Sequence, residues 1–322
     1  MAKASFPELD PGHKRTTWET IIVTTPVILT VVATILAGLS SSEMSSAQYF
    51  RSLAAQMQAK VSDQWGYFQA KKLRAEQCDN TIVILRGVSP TMPMDARGFR
   101  DAMSQLNGGN SATQPVDTAN LESFFNGVVP QVEEQPVGNQ QLMDAMNAVS
   151  STPSESDLEQ QAGKIDQTQL DGAVTVANQN SQAFDAAVQE QTSQYSKMSD
   201  ELRSRIQSSQ AGSSNKPDAL RGLGTAVAVA QLKFNSNRYQ RDAHYNQVLA
   251  ELLELQVRKQ GFTSDRHRIR SKEFFYGMLA AQAGVTIATF SLAVQRKNLL
   301  WGLAASAGLA AVTFAAYVYM FV

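Results

Sequence analysis

The sequence predicts an all-α membrane protein with three transmembrane helices, an antiparallel helical stalk and a partly disordered insertion. Three observations predict this fold class. Residues 21–39, 274–294 and 299–322 contain no charged side chain, and each is close to the roughly 20 apolar residues that a helix needs to cross a bilayer. Long segments beside these spans repeat apolar residues at helical spacing. The stretch between those segments is polar and acidic.

The two C-terminal spans predict a hairpin whose loop carries Arg296 and Lys297. Pairs of small residues spaced four apart let helices approach closely where lipid removes the hydrophobic drive. Gln282 is the only strongly polar side chain within the two spans, and we expect it to form an interhelical hydrogen bond. The expected membrane-helix contacts are Gly277 with Ala281, Gly284 with Ala288, Gly302 with Ser306, and Ala304 with Gly308.

The N-terminal span follows a polar tail of residues 1–20. Pro26 is expected to kink this helix or to lie near its start. A cleaved signal peptide is the alternative, but the long leader with acidic residues and the poor cleavage sequence around Gly38 favour an uncleaved anchor. Hydroxyl groups in the span can return hydrogen bonds to the helix backbone. They belong to Thr24, Thr25, Thr30 and Thr34.

Residues 43–86 predict a helix that rises from the first span, because apolar residues recur at steps of three or four. Phe50 and Val61 are eleven residues apart, which favours a nearly straight or right-handed stalk over a heptad coiled coil. Residues 225–272 predict its antiparallel partner, interrupted at Gly261. Each helix is expected to bury the apolar stripe of the other. The stripe on the partner consists of Tyr245, Val248, Leu249, Leu252 and Leu255.

Residues 87–224 predict an acidic insertion rich in Gln, Asn and Ser. Between residues 101 and 196 there are thirteen acidic residues and one base, Lys164. Such a composition buries little apolar surface, so the proline-rich residues 88–153 are predicted to form a mobile loop. Residues 154–210 lack proline and predict a weakly packed helix, capped by Ser154 or Ser156. A solvated insertion is favoured over an adhesive, prion-like segment.

A basic cluster precedes the second span. Its residues are candidates to bind anionic lipid headgroups, at about 1 kcal/mol for each basic residue near the surface. The alternative, which we favour, is an ordinary basic flank whose long side chains reach up to the interface. The cluster consists of Arg266, Arg268, Arg270 and Lys272.

The most distinctive segment of the chain is Trp-Gly-Tyr-Phe-Gln-Ala-Lys at residues 65–71. On a helix, Trp65, Phe68 and Gln69 share one face, while Tyr67 and Lys71 share another. The first face is expected to anchor the stalk, with Gln69 forming a hydrogen bond across it. A small molecule stacked on Tyr67 beside Lys71 is the alternative. Aromatic residues at helical spacing favour the packing interpretation.

The position of this motif, after an N-terminal span and combined with a C-terminal two-span hairpin, resembles the bacterial membrane-protein family catalogued as domain of unknown function 4337. In that family a Trp, one further residue, two aromatics and Gln-Ala-Lys recur at this place. The resemblance covers about residues 17–86 and 237–322, and the insertion between them departs from it. Because the family has no established activity, the resemblance implies the membrane topology and little else.

Several classes of function find no support in the sequence. The three histidines lie far apart and Cys78 is the only cysteine, so no metal-ligand spacing is recognisable and no cofactor is expected. The net charge of -1 argues against a nucleic-acid partner. The three spans contain no Asp, Glu, Lys, Arg or His, which argues against a pump or coupled transporter.

Charge also bears on orientation. Lys14 and Arg15 in the tail, and Arg296 and Lys297 in the hairpin loop, lie on one face of the membrane if all three spans cross it. Positive charge flanking the first helix favours the cytoplasm for that face, and long domains translocate largely regardless of charge. The polar stalk is therefore expected on the extracytoplasmic side of the bacterial inner (plasma) membrane.

These patterns favour a non-enzymatic, membrane-anchored interaction or scaffold protein that self-associates through its stalk and its small-residue ridges. Its expected partners are the lipid bilayer and either further copies or another membrane protein. A channel or transporter subunit with a polar path near Gln282, Thr286 and Thr289 is the alternative. An enzyme that uses Tyr67, Lys71 and His244 is a third interpretation, without supporting geometry.

Overall fold

Helices make up every regular element of the residues that the structure describes, which confirms the all-α class. Three helices are long and apolar enough to cross a membrane, as predicted. The chain divides into unit 1, residues 1–54 with 260–322, and unit 2, residues 55–259. This computed structural model describes residues 17–88, 95–106, 118–150, 161–212, 217–293 and 297–321.

The first helix, α1 (Thr17–Val88), is a single unbroken helix of 72 residues. It contains both the predicted first span and the predicted ascending stalk helix, with no interruption between them. Pro26 lies inside it. The hydroxyls of Thr24, Thr25, Thr30 and Thr34 each donate to a backbone carbonyl three or four residues earlier, which confirms that prediction.

Before the long return helix, the described residues of unit 2 form α2 at Ala96–Leu106, α3 at Thr118–Asn126, α4 at Gln140–Ser150 and α5 at Gln167–Gly212, and residues 161–164 are helical as well. The prediction of a mobile loop is wrong for α2, α3 and α4. Composition averaged over the segment concealed a few apolar residues, and three of them, Phe99, Leu121 and Phe124, are fully buried. The rest of that predicted loop, at 89–94, 107–117 and 151–153, lies outside the described residues.

Local caps explain where these helices begin and end. The side chains of Asp95 and Asn139 accept backbone N–H bonds at the starts of α2 and α4. Gly127, at φ 63, closes α3 in a Schellman motif, because the Gly127 N–H bonds the Phe124 carbonyl and the Val128 N–H bonds the Ser123 carbonyl. The predicted caps of α5, Ser154 and Ser156, lie outside the described residues.

The long return helix α6 spans Pro217–Ala293 and the last helix α7 spans Lys297–Phe321. The predicted interruption at Gly261 is wrong, because α6 passes through that residue. One glycine costs a helix about 1 kcal/mol, and burial of its neighbours Gln260 and Ser264 accompanies the unbroken helix. Residues 294–296 of the hairpin loop lie outside the described residues.

The core of unit 2 lies mainly between α5 and α6, which run antiparallel. Phe184 and Val188 of α5 pack with Tyr245 of α6, and farther along the pair Tyr195 packs against Phe234 with ring centroids 4.8 Å apart. Helices α2 and α3 cover this end of the pair. The prediction of a weakly packed helix is therefore wrong for α5, which also takes part of the apolar stripe that α1 was expected to bury.

Unit 1 consists of the membrane-spanning parts of α1, α6 and α7, and α1 runs antiparallel to α6. The hydroxyls of Ser40 and Ser271 each donate to the other's backbone carbonyl, at 2.9 and 2.8 Å. At the opposite end, Trp18 and Trp301 form an edge-to-face pair with centroids 4.8 Å apart. Both indoles are hydrogen-bonded, which is how tryptophans at a membrane interface are typically placed.

Candidate functional site

Residues 65–71 of α1, the motif that the sequence singles out, divide between the inside and the outside of unit 2. Trp65 and Phe68 are half-buried and form an edge-to-face pair with centroids 5.5 Å apart. Tyr67 and Gln69 are exposed. The hydrogen bond that we expected Gln69 to make across the stalk is thus absent among the described residues, and the stalk is anchored by Trp65, Phe68 and Lys71.

In unit 2, Lys71 forms an ion pair between α1 and α6. Its ammonium lies 2.6 Å from the Asp242 carboxylate, whose side chain is only 4% exposed. Arg238 lies one helical turn away on α6, 3.9 Å from the same carboxylate. The Tyr239 ring sits among the cations of Lys71, Arg74 and Arg238, each within 6 Å of its centroid. A buried carboxylate that holds one cation from each helix sets the register of the pair.

The charge cluster extends to α5 through Asp185. Desolvation and the nearby Asp242 carboxylate raise the pKa of the Asp185 carboxyl, against the opposing effect of Lys71 and Arg238. Helices α1, α5 and α6 of unit 2 therefore each contribute a charged side chain to this cluster. The enzyme interpretation gains no geometry here, because the Lys71 ammonium is engaged by Asp242, and Tyr67 and His244 are exposed.

In unit 1 the small residues of α6 line the inside of the bundle, in a row that we call the inner seam. A Cβ added at Gly277 would lie 3.1 Å from Leu36 Cδ1 and 3.2 Å from the Ala311 carbonyl oxygen. The same addition at Gly284 would meet Leu29 and the Ala304 carbonyl oxygen at 3.0 and 3.2 Å. The inner seam consists of Phe274, Gly277, Ala281, Gly284, Ala288 and Ser291, all of them buried.

The predicted contacts on α7 divide between two faces of that helix. Ala304 is fully buried, and a Cβ added at Gly308 would lie 2.7 Å from Leu29 Cδ2, so this pair packs inside unit 1 as predicted. Gly302 and Ser306 of α7 are exposed, and a Cβ on Gly302 would meet no atom within 4 Å. Gln282 is exposed as well, together with Thr286 and Thr289. The interhelical bond expected of Gln282 is not formed within the described residues. These three polar side chains also do not line the interior of unit 1, where the channel interpretation would place them.

The predicted lipid-headgroup residues lie along α6 before its span. Arg266, Arg268 and Lys272 are exposed, whereas Arg270 is half-buried. Lys272 lies over the Tyr276 ring, 5.7 Å from its centroid. Arg268 and Arg51 line an open cleft of about 470 Å³ between α6 and α1. Basic side chains at this boundary suit anionic headgroups, although Asp265 lines the same cleft.

One polar network escaped the sequence analysis. The non-helical segment 127–139, which we call the strap, crosses α5 and α6 and is held largely by side-chain amides. Asn180, 5% exposed, donates to the Gln135 carbonyl and accepts from the Gln135 N–H, at 2.9 and 3.0 Å. Gln191 and Asn237 donate to strap carbonyls at 3.0 and 2.7 Å.

The strap also carries a charged contact. Glu134 pairs with Arg241 and accepts a hydrogen bond of 2.7 Å from the Tyr245 hydroxyl. Burial, together with this hydrogen bond, raises the pKa of Tyr245. The Asn and Gln content of the insertion was the available signal, and we interpreted it as solvation. These amides instead satisfy the backbone of a segment that has no helical hydrogen bonds of its own.

Comparison with known proteins bears on the N-terminal part of the chain. Residues 18–106 match the family described as domain of unknown function (DUF4337). This match confirms the resemblance that the motif in α1 predicts. It includes the first span, the whole motif and α2, and it does not extend to the C-terminal part of the predicted resemblance. No curated protein and no solved structure matches the chain.

Proposed function

We propose that the protein is a non-enzymatic, membrane-anchored scaffold that carries a helical bundle at a membrane surface and associates with further copies of itself. One observation carries the proposal. In unit 2, the last third of α1 exposes large aliphatic side chains, and clustered exposed apolar residues are typical of interaction surfaces. These residues, which we call the α1 patch, are Leu73, Val83, Ile84 and Val88, with exposures of 56, 67, 63 and 80%.

A second copy suits the α1 patch for geometric reasons. The membrane holds every copy in one plane and in one orientation, so two copies can associate side by side. A two-fold axis along the membrane normal brings the same surface of each copy together. Both signs of charge accompany the patch, because Glu76 and Asp79 lie between Arg74 and Arg86 along α1. Two copies therefore meet without a large net repulsion.

The association is testable with fluorescently labelled full-length protein in liposomes, by energy transfer between copies as the protein density is varied. Leu73→Glu combined with Ile84→Glu should weaken association about tenfold, which corresponds to about 1.4 kcal/mol. Ser62→Glu, at an exposed position of the same helix, is the control and should leave association unchanged. A wild-type protein that stays strictly monomeric in both detergent and lipid would overturn the proposal.

We place the scaffold in the bacterial inner membrane with unit 2 on the extracytoplasmic side. The hydrogen bond of 3.3 Å from Trp18 to Asn298 supports a common face for the N-terminal tail and the hairpin loop. The basic residues of both segments then favour the cytoplasm. Lipid headgroups on the other face are the proposed partners of Arg266, Arg268, Arg270 and Lys272.

This orientation is testable with a membrane-impermeant thiol reagent on intact cells. Cys78, the only cysteine, is half-buried, and burial followed by the nearby Asp79 raises the pKa of its thiol. Slow labelling without lysis is therefore expected. Ser62→Cys in a Cys78→Ser background supplies an exposed control thiol, which should label quickly. Labelling of that control only after lysis would reverse the orientation.

A further inference from the structure

The membrane-spanning part of α6 carries a second row of residues, on its outside, that we call the outer seam. Its members follow one another at alternating steps of four and three, the spacing of a heptad seam. The inner seam described above has the same spacing and is already covered by α1 and α7. The outer seam consists of Phe275, Leu279, Gln282, Thr286, Thr289 and Ala293, all of them exposed.

Gln282 stands near the middle of the outer seam and is the residue that requires a partner. Its side-chain amide makes no hydrogen bond with the described residues, and lipid tails offer none. The hydroxyls of Thr286 and Thr289 differ in this respect, because they donate to the carbonyls of Gln282 and Val285 in their own helix, at 3.0 and 2.8 Å. An amide left in hydrocarbon without a hydrogen bond is unfavourable.

We propose that the outer seam is covered by the outer seam of a second copy, in a parallel pair of α6 helices centred on Gln282. The amide both donates and accepts, so it is complementary to itself. A two-fold axis along the membrane normal places the two Gln282 side chains at the same depth, where each can satisfy the other. Because the hydroxyls of Thr286 and Thr289 are satisfied within their own helix, Gln282 is the polar member of the seam that selects one register. This inference rests on the proposed self-association and names its contact within the membrane.

The exposed face of α7 is the competing surface, and it lacks this requirement. Gly302 and Ser306 form a small-residue pair there, but the Ser306 hydroxyl donates to the Leu303 carbonyl at 2.8 Å. Thr313 on the same helix is satisfied in the same way, by the Leu309 carbonyl at 2.8 Å. Lipid can therefore cover these side chains without leaving a polar atom unpaired, whereas at Gln282 it cannot.

The first test measures association of the full-length protein in liposomes as the protein density is varied. Gln282→Leu should weaken the pair by about three- to thirty-fold, the range expected for one interhelical hydrogen bond in a membrane. Gln282→Asn keeps a self-complementary amide and should retain most of the association. Thr313→Val, which removes an exposed polar side chain from α7, is the matched control and should have no effect. Equal association of Gln282→Leu and wild type would overturn the proposal.

The second test locates the contact by cysteine cross-linking in a Cys78→Ser background. Leu279→Cys and Thr286→Cys, which keep Gln282, should form cross-linked dimers in the membrane, whereas Leu303→Cys and Leu309→Cys on α7 should not. Equal or stronger cross-linking on α7 would overturn the proposal. If copies associate and only the α1-patch variant weakens their association, the scaffold proposal stands and the proposed contact through the outer seam is wrong. A wild-type protein that is strictly monomeric would contradict both the scaffold proposal and the outer-seam contact.

Discussion

The Lys71 ammonium on α1 lies 2.6 Å from the Asp242 carboxylate on α6, although the two residues are 171 positions apart in the chain. The Asp242 side chain is 4% exposed and that of Lys71 is 26% exposed. A nearly buried carboxylate is costly unless a cation neutralises it. The pair therefore determines how far α1 and α6 of unit 2 can slide past one another.

Removal of the cation should destabilise unit 2. Lys71→Met leaves Asp242 with Arg238 as its remaining cationic partner, at 3.9 Å, and we expect a loss of about 1–3 kcal/mol, less than for a fully buried pair because Lys71 is partly solvated. Thermal unfolding of the detergent-solubilised protein, followed by circular dichroism, measures the change. Lys60→Met, at an exposed position of the same helix, is the control. An equal effect of the two substitutions would contradict this account of the pair.

Replacing glycine by valine should have different effects at a covered and at an exposed position of the membrane bundle. Gly284→Val should destabilise unit 1 by about 1–3 kcal/mol through overpacking, because a Cβ there would already lie 3.2 Å from the backbone oxygen of Ala304. Gly302→Val places the same side chain where no atom lies within 4 Å and should be tolerated. Resistance of the purified protein to heating in detergent, measured for both variants, checks this contrast. Similar losses of heat resistance in both variants would contradict this account, because Gly302 would then have to lie in a packed contact.

The anchoring of the strap depends on Gly127. Its φ of 63 disfavours any side chain, and an added Cβ would lie 2.9 Å from backbone atoms of Lys233 and Phe234. Gly127→Ala should cost about 2 kcal/mol or more and should accelerate amide hydrogen exchange in the strap. Gly172→Ala, inside α5 with free space around it, should instead stabilise the protein by about 1 kcal/mol. Unchanged exchange in Gly127→Ala would show that the strap is held without this close approach.

The raised pKa of Asp185 predicts a dependence of stability on pH. The folded state favours the protonated carboxyl, so this contribution to stability is present below the ordinary value of 3.8 and is lost as the pH rises through the raised pKa. Asp185→Asn should therefore raise the free energy of unfolding at neutral pH, and the gain should vanish below pH 3.8. Asp200→Asn, at an equally exposed position of the same helix, is the control. A gain independent of pH would assign the effect to something other than ionisation.

Much of the fold could be predicted from local patterns. Three helices long and apolar enough to cross a membrane, the threonine hydrogen bonds of α1 and a helix within residues 154–210 were predicted from apolar length and from the chemistry of neighbouring residues. The failures have a common physical cause. The average composition of α2 and α3 is polar, but Phe99 and Phe124 are buried in a core cluster with residues of α5 and α6, which lie far away in the sequence. At Gly261 the low helix propensity of glycine did not end α6, and the neighbouring residues Gln260 and Ser264 are buried.

The candidate site was predicted less well than the fold. Residue types at Trp65 and Phe68 indicated a packing face, and both side chains are half-buried. Gln69, predicted on the same face, is exposed, whereas Lys71, predicted on the other face, reaches Asp242. The amides Asn180 and Asn237 carried no such signal, because an amide that binds a distant backbone and an amide in solvent look alike in a sequence. Gln282 was recognised as the polar residue of its span, while its position outside the bundle could not be read from spacing alone.

The sequence by itself determined that this chain forms long helices of which three can cross a membrane, because apolar length and helical periodicity act over neighbouring residues. Only the tertiary structure decided which face of each helix is covered, and so which polar groups meet: Lys71 with Asp242, Asn180 with Gln135, and Gln282 with none of the described residues. The physical reason is that those pairings depend on the register and rotation of helices distant in sequence. A rotation of α6 about its own axis would change which of its two seams is covered.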